Sequence, residues 1–179
     1  MGLAQDFALD SQCFTYLVTA LERVEEPTDS LAEQKKALFR SFLYSGAWHF
    51  ITPTVDREWR QISDETKRKL HESWNSVHFG TVPFWRPEQQ AEVEARANEF
   101  LAVHPKHSDC LVLAEAEILG ANKLITFDHR FLERLAPRAA IGLVSPEEHW
   151  ASMRIAPGTQ PKVVPHPSNP LSGVTWWRV

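Results

Sequence analysis

The sequence predicts an α/β fold, with a central, mostly parallel sheet flanked by helices on both sides. Three observations point there. Short apolar runs at "FAL", "AWHFIT", "NKLITF" and "AAIGLV" are separated by stretches whose apolar residues recur at helical spacing. Those runs are mostly apolar, as expected of strands buried on both faces. Two of them end on an aspartate, Asp10 and Asp128, at the carboxyl edge where such sheets place ligands.

The elements follow in order. After Asp10, residues 11–24 put Phe14, Leu17, Val18 and Leu21 on one helical face. "EEPTDS" is a turn, and Ser30 with Glu33 three positions on has the form of a capping box. That box opens a helix over 31–45 with Leu31, Leu38, Phe39 and Phe42 as its apolar stripe and Gly46 at its end. "AWHFIT" is a strand stopped by Pro53, followed by one charged helix from Thr54 to His71. Residues 73–87, "SWNSVHFGTVPFWRP", lack periodicity and form an irregular aromatic insertion. A helix over 88–103 closes at His104-Pro105, and "SDCLVLAEAEILGA" is a helix opening at Ser108 or Asp109 and ending at Gly120. "NKLITFD" is a buried strand, "HRFLERL" a short helix and "AAIGLV" another strand, after which Ser145 caps a last helix with Pro146 in its first position. The chain therefore divides into one domain over 1–155 and a proline-rich tail over 156–179.

Composition narrows the class. A chain of 179 residues, 43% hydrophobic and 23% charged, suffices for one folded domain. Its formal charge of −4 does not advertise a nucleic-acid partner, so any such affinity must come from local basic residues. No apolar run approaches the roughly 20 residues of a membrane helix. "MGLAQDFALD" lacks a basic region followed by an apolar core, and Asp6 stands where a myristoylation signal has Ser or Thr. Cys13 and Cys110 fall in apolar helices without metal-ligand spacing, as buried reduced thiols do. The expectation is a cytoplasmic protein with no membrane anchor.

Four acids stand out: Asp10, Glu58, Asp109 and Asp128. Singly, the three aspartates read as helix caps and Glu58 as a solvated helix residue. Together, each follows or opens an element that delivers it to the same edge of the sheet. Clustered carboxylates repel unless a cation offsets them, and hard ions such as Mg²⁺ and Mn²⁺ prefer carboxylate and water oxygen. Two phosphotransfer classes fit less well. A dehalogenase-type phosphatase wants a second Asp where Gln12 stands, and a receiver domain wants an acidic pair where "FALDSQ" offers one acid.

The pieces "ALDSQCFTYL", "ITPTVDREW" and "HSDCLVLAEAEILGANKLITFDHRF" resemble the PIN-domain family of ribonucleases, including the VapC-type toxins of bacterial toxin–antitoxin pairs. The last piece is the most specific: an Asp opening an Ala-rich helix, a Gly, then an apolar strand running into Thr-x-Asp-x-x-Phe. The likeness covers roughly residues 7 to 150, with gaps. It implies a three-layer PIN-like fold, a Mg²⁺- or Mn²⁺-dependent endoribonuclease, a homodimer, an RNA substrate and an antitoxin partner. By the same likeness, Asp10, Asp109 and Asp128 bind metal, with Glu58 binding it or orienting its water; Ser11 supports the site or caps a helix. Where the family often has Asn, two positions after the first Asp, Gln12 stands. The alternative is a non-catalytic PIN-like module for RNA binding or assembly.

An RNA substrate needs basic surroundings. Candidates are Arg57, Arg60, Lys67, Arg68 and Lys69, with Arg130 and Arg134 beyond Asp128. Arg57 and Arg130 flank proposed acids and are the expected substrate contacts, unless they are simply solvated. Trp74, Phe79, Phe84 and Trp85 either stack on bases or pack on the protein's own body. Trp176 and Trp177 are expected to dock onto the domain or onto another subunit.

Overall fold

The first described strand is β1 (Asp6–Leu9), whose last three residues are buried. The computed structural model describes residues 6–84 and 86–179; Trp85, among the expected insertion aromatics, lies outside them. β1 is followed by α1 (Ser11–Arg23), which turns Cys13, Phe14, Leu17 and Leu21 inward. Next come α2 (Ala32–Ser45), β2 (Trp48–Ile51) and α3 (Pro53–Arg60). Then follow α4 (Glu65–Trp74), α5 (Glu88–Leu101), α6 (His107–Ile118) and β3 (Lys123–Ile125). Last are α7 (His129–Leu135), β4 (Gly142–Val144) and α8 (Pro146–Met153).

The strands form an all-parallel sheet of order β2-β1-β3-β4. α2 packs along α8, and α5 along α6, with α6 also touching α3 and β3. Phe7 points between the helices and β2, its ring 4.5 Å from His149 on α8 and 5.5 Å from His49 on β2. Leu9, Phe14, Ile51, Leu113 and Leu124 are fully buried and join the sheet to its helical layers.

Several boundaries differ from expectation. The single helix over 54–71 is two: the chain breaks after Arg60, and Asp64 caps α4 by accepting from Lys67 N at 3.0 Å. Charge periodicity runs unbroken through this stretch, which hides the break. The Ser30 capping box is not formed. Asp29 instead accepts from Leu31 N at 2.9 Å, also pairs with Lys35, and α2 starts at Ala32. The insertion begins later than expected, because α4 runs to Trp74 and continues as a π-helical turn over Asn75–Phe79. Gly80 ends that turn at φ 81°, and an added Cβ would lie 3.1 Å from the Trp48 ring. Thr81 then bridges to Ile51 in parallel. Phe79 and Val82 are buried and Phe84 packs on the core, so these parts of the insertion belong to the body.

The tail also packs on the domain. Leu171 and Trp177 are buried, the Trp176 ring lies 4.9 Å from Phe39, and Arg40 Nη2 donates to the Trp176 carbonyl at 2.9 Å. Val163 N donates to the Leu43 carbonyl at 3.0 Å, a further tie to α2. No helix among the described residues is long and apolar enough to cross a membrane. Cys13 and Cys110 are free and buried, as expected.

Candidate active site

The site forms where β1 and β3 run out side by side at the carboxyl edge of the sheet. Their neighbours lie on opposite sides, so the edge opens there into a crevice. Asp10 follows β1 in extended conformation and caps α1, Oδ1 accepting from Cys13 N at 2.6 Å. Its other oxygen, Oδ2, accepts from the Thr126 hydroxyl, one residue past β3. Thr126 Oγ1 accepts in turn from Asp128 N at 3.0 Å, tying the two aspartates through one hydroxyl. Asp128 caps α7, its Oδ1 accepting from Arg130 N at 2.9 Å and Phe131 N at 3.0 Å.

Asp109 arrives differently. It is the third residue of α6 and is not the cap; Lys106 holds that position without a side-chain bond. Asp109 is 9% exposed, and both of its oxygens are engaged. His104 Nε2 lies 2.9 Å from Oδ2, and Lys106 Nζ 2.8 Å from Oδ1. His104 is buried, lies parallel to Phe131 at 5.7 Å, and leaves its Nδ1 without a partner among the described residues. Glu58 comes from α3, where its Oε2 accepts from the Ser11 hydroxyl.

All four predicted acids, with Ser11 and Lys106, line one cleft of about 40 Å³. Burial pushes the Asp10 carboxyl above the usual carboxylate range; the hydrogen bonds from Thr126 and Cys13 pull the other way, and Asp109 adds a little to the rise. For Lys106, burial works against the charge, but the bond to Asp109 and the fields of Asp109, Asp128 and Glu58 prevail and raise it.

The basic candidates are placed less centrally. Arg57 Nη2 donates to Thr54 Oγ1 at 2.6 Å and lies 3.8 Å from Glu115, a buried α6 carboxylate that also accepts from Thr54 N. Burial raises the Glu115 carboxyl, against the pull of its hydrogen bonds. Arg60 pairs with Asp56 at 2.7 Å and Lys69 with Glu65 at 2.7 Å. Arg130 and Arg134 are exposed on α7, outside the residues lining the cleft. Sequence reasoning did not single out Thr126, His104 or Lys106. Thr126 was visible only as the first letter of Thr-x-Asp. The other two reach Asp109 around the turn at Pro105, which no periodicity announces.

No family model matches the chain, and no curated protein matches it. Among solved structures, it is similar to a chain in the crystal structure of VapBC2 from Rickettsia felis bound to a DNA fragment from their promoter. That likeness has a TM-score of 0.51 at 13% identity and covers 78% of this chain and 98% of that one. The fold is PIN-like, in three layers. A second likeness, to FitAcB from Neisseria gonorrhoeae, has a TM-score of 0.44 at 11% identity, covering 78% of this chain and 97% of that one.

The donor set suits a hard divalent ion: every acidic group at the cleft offers carboxylate oxygen. The side chains are nonetheless held by protein donors. Among the described residues, no three His, Cys, Asp or Glu groups already converge as a metal would require.

Proposed function

We propose that the chain is a metal-dependent endoribonuclease that hydrolyses RNA phosphodiester bonds at the acidic cleft. The observation that carries this reading is that Asp10, Glu58, Asp109 and Asp128, each from a different segment, line one crevice at the carboxyl edge of a parallel sheet. Asp10, Asp109 and Asp128 would hold Mg²⁺ or Mn²⁺, with Glu58 completing the set. When bound, such an ion supplies Lewis-acid charge for attack of water on the phosphodiester and for the leaving oxygen.

The chain's own residues prepare that chemistry. Thr126 fixes Asp10 and the backbone of Asp128 relative to each other. Ser11 orients Glu58 toward α1. His104 presents its Nε2–H to Asp109 and sets the plane of that carboxylate. Substrate phosphates would meet Arg130 at the rim, whereas Arg57 must first leave Thr54 and Glu115.

The same proposal extends to biology: a cytoplasmic toxin component, acting as a homodimer and held in check by an antitoxin. Support is the sequence resemblance to VapC-type toxins together with a fold shared with a chain of the VapBC2 structure. A second reading, a non-catalytic PIN-like module for RNA binding or assembly, has one observation in its favour. Both oxygens of Asp10 and of Asp109 already serve protein donors.

The deciding experiment incubates the purified protein and an Asp10→Asn variant with structured and unstructured RNA in Mg²⁺, Mn²⁺ or EDTA. Cleavage that needs the metal and disappears in the variant is the expected result. Intact RNA in every condition, together with no heat of Mn²⁺ binding, overturns the nuclease reading in favour of the module.

A further inference from the structure

Among the described residues that line the cleft, Lys106 alone carries a positive charge. Its ammonium lies 2.8 Å from Asp109 Oδ1, and Asp128 and Glu58 contribute to the field that favours it. The nearby arginines are turned elsewhere, Arg57 to Glu115 and Arg60 to Asp56. Lys106 therefore answers an electrostatic question the four acids raise: what balances them in the absence of a metal. Its side chain is 59% exposed, so it reaches the carboxylates over the rim and has no packed slot holding it there.

We propose that Lys106 is a built-in counter-ion that competes with the divalent cation for the acidic cleft. The ammonium sits on Asp109 while the cleft holds no metal and swings into solvent when the metal enters. The lysine end of the pair is open to solvent, so the ammonium can leave without being stripped of water. Lys106 thereby sets the cation concentration at which the site loads, and it keeps the metal-free form from suffering the full repulsion of four carboxylates. The inference rests on reading the cleft as a cation site.

The test is calorimetric titration of Mn²⁺ into the full chain as wild type, Lys106→Met and Lys106→Arg, with thermal melts in EDTA and in Mn²⁺. Removing the charge should tighten Mn²⁺ binding about five- to tenfold, the order expected for one partly screened charge, while Lys106→Arg stays near wild type. In EDTA the Met variant should melt below wild type, and Mn²⁺ should erase that deficit. Equal or weaker Mn²⁺ binding by Lys106→Met overturns the counter-ion role and leaves the cation site standing. Absence of both heat and melting shift in all three proteins removes the cation site itself, and the Lys106 role with it.

Discussion

Asp128 holds the start of α7 and lines the acidic cleft with the same carboxylate. The two duties need different things of the side chain: a cap needs an oxygen acceptor, whereas a divalent ion also needs the charge. Asp128→Asn should therefore unfold in urea within about 0.5 kcal/mol of the parent while losing Mn²⁺ binding and RNA cleavage. Asp128→Ala should lose both functions and about 1 kcal/mol of stability as well. Comparing the two by urea denaturation and calorimetry separates cap from ligand. At this scale the sequence was informative about the three aspartates, because each stands beside a strand end or helix start that the apolar pattern reveals; Glu58 lies inside α3. It was silent about their donors. His104 and Lys106 find Asp109 through a non-periodic turn, and Thr126 finds Asp10 only because β1 and β3 are neighbours.

Between elements, β2 and α8 each set a histidine against Phe7 of β1. His49 and His149 are each 1% exposed and share the Phe7 ring. Burial, reinforced by His149, pushes His49 down to about 3, and burial with the nearby Lys123 pushes His149 down to about 4. Both are thus neutral in the fold but take up protons in the unfolded chain below its ordinary value near 6.5. Their contribution to stability is present above pH 6.5 and is lost as pH falls toward those lower values. The decline should approach about 2–3 kcal/mol per pH unit as two protons are taken up on unfolding. Urea midpoints from pH 7 to 4.5 check this, and a His49→Leu, His149→Leu protein should show a flatter profile. Element order was legible because apolar strands and helical stripes alternate cleanly, and α7 occupies the residues its pattern predicts. Ser145 and Glu148 form the capping box of α8, where the cap was expected at Ser145. The break at 61–64 is hidden in the sequence because Asp64 looks like one more charge in a charged helix, and its capping role depends on a backbone turn.

Across the whole molecule, the tail and the insertion decide how much surface is left open. Leu171 and Trp177 are buried against the domain, and Trp176 covers Phe39 of α2. Fully burying a large apolar side chain contributes about 1.5–3 kcal/mol. Deleting residues 156–179 should therefore lower stability by about two such units, about 3–6 kcal/mol, and expose a dye-binding apolar face on α2. A thermal melt and fluorescence with a hydrophobic dye would show both; an unchanged melt would mean the tail merely rests on the surface. Sequence could identify the tail's aromatics but not their destination, since proline-rich chain has no period that assigns a face. The electrostatic picture is likewise a property of the assembled molecule. Arg57, Arg60 and Lys69 look like an RNA-facing stripe in the sequence, yet each makes an ion pair with an acid of this chain.

The Thr126 linkage and the two capped helices have a consequence for spectroscopy. The backbone amides of Cys13, Arg130, Phe131 and Asp128 point at Asp10, at Asp128 or at the hydroxyl that joins them. Their nitrogen–proton resonances are therefore built-in reporters of the cleft. Anything that draws electron density from either carboxylate should move these signals together, in a protein that has not yet met a substrate.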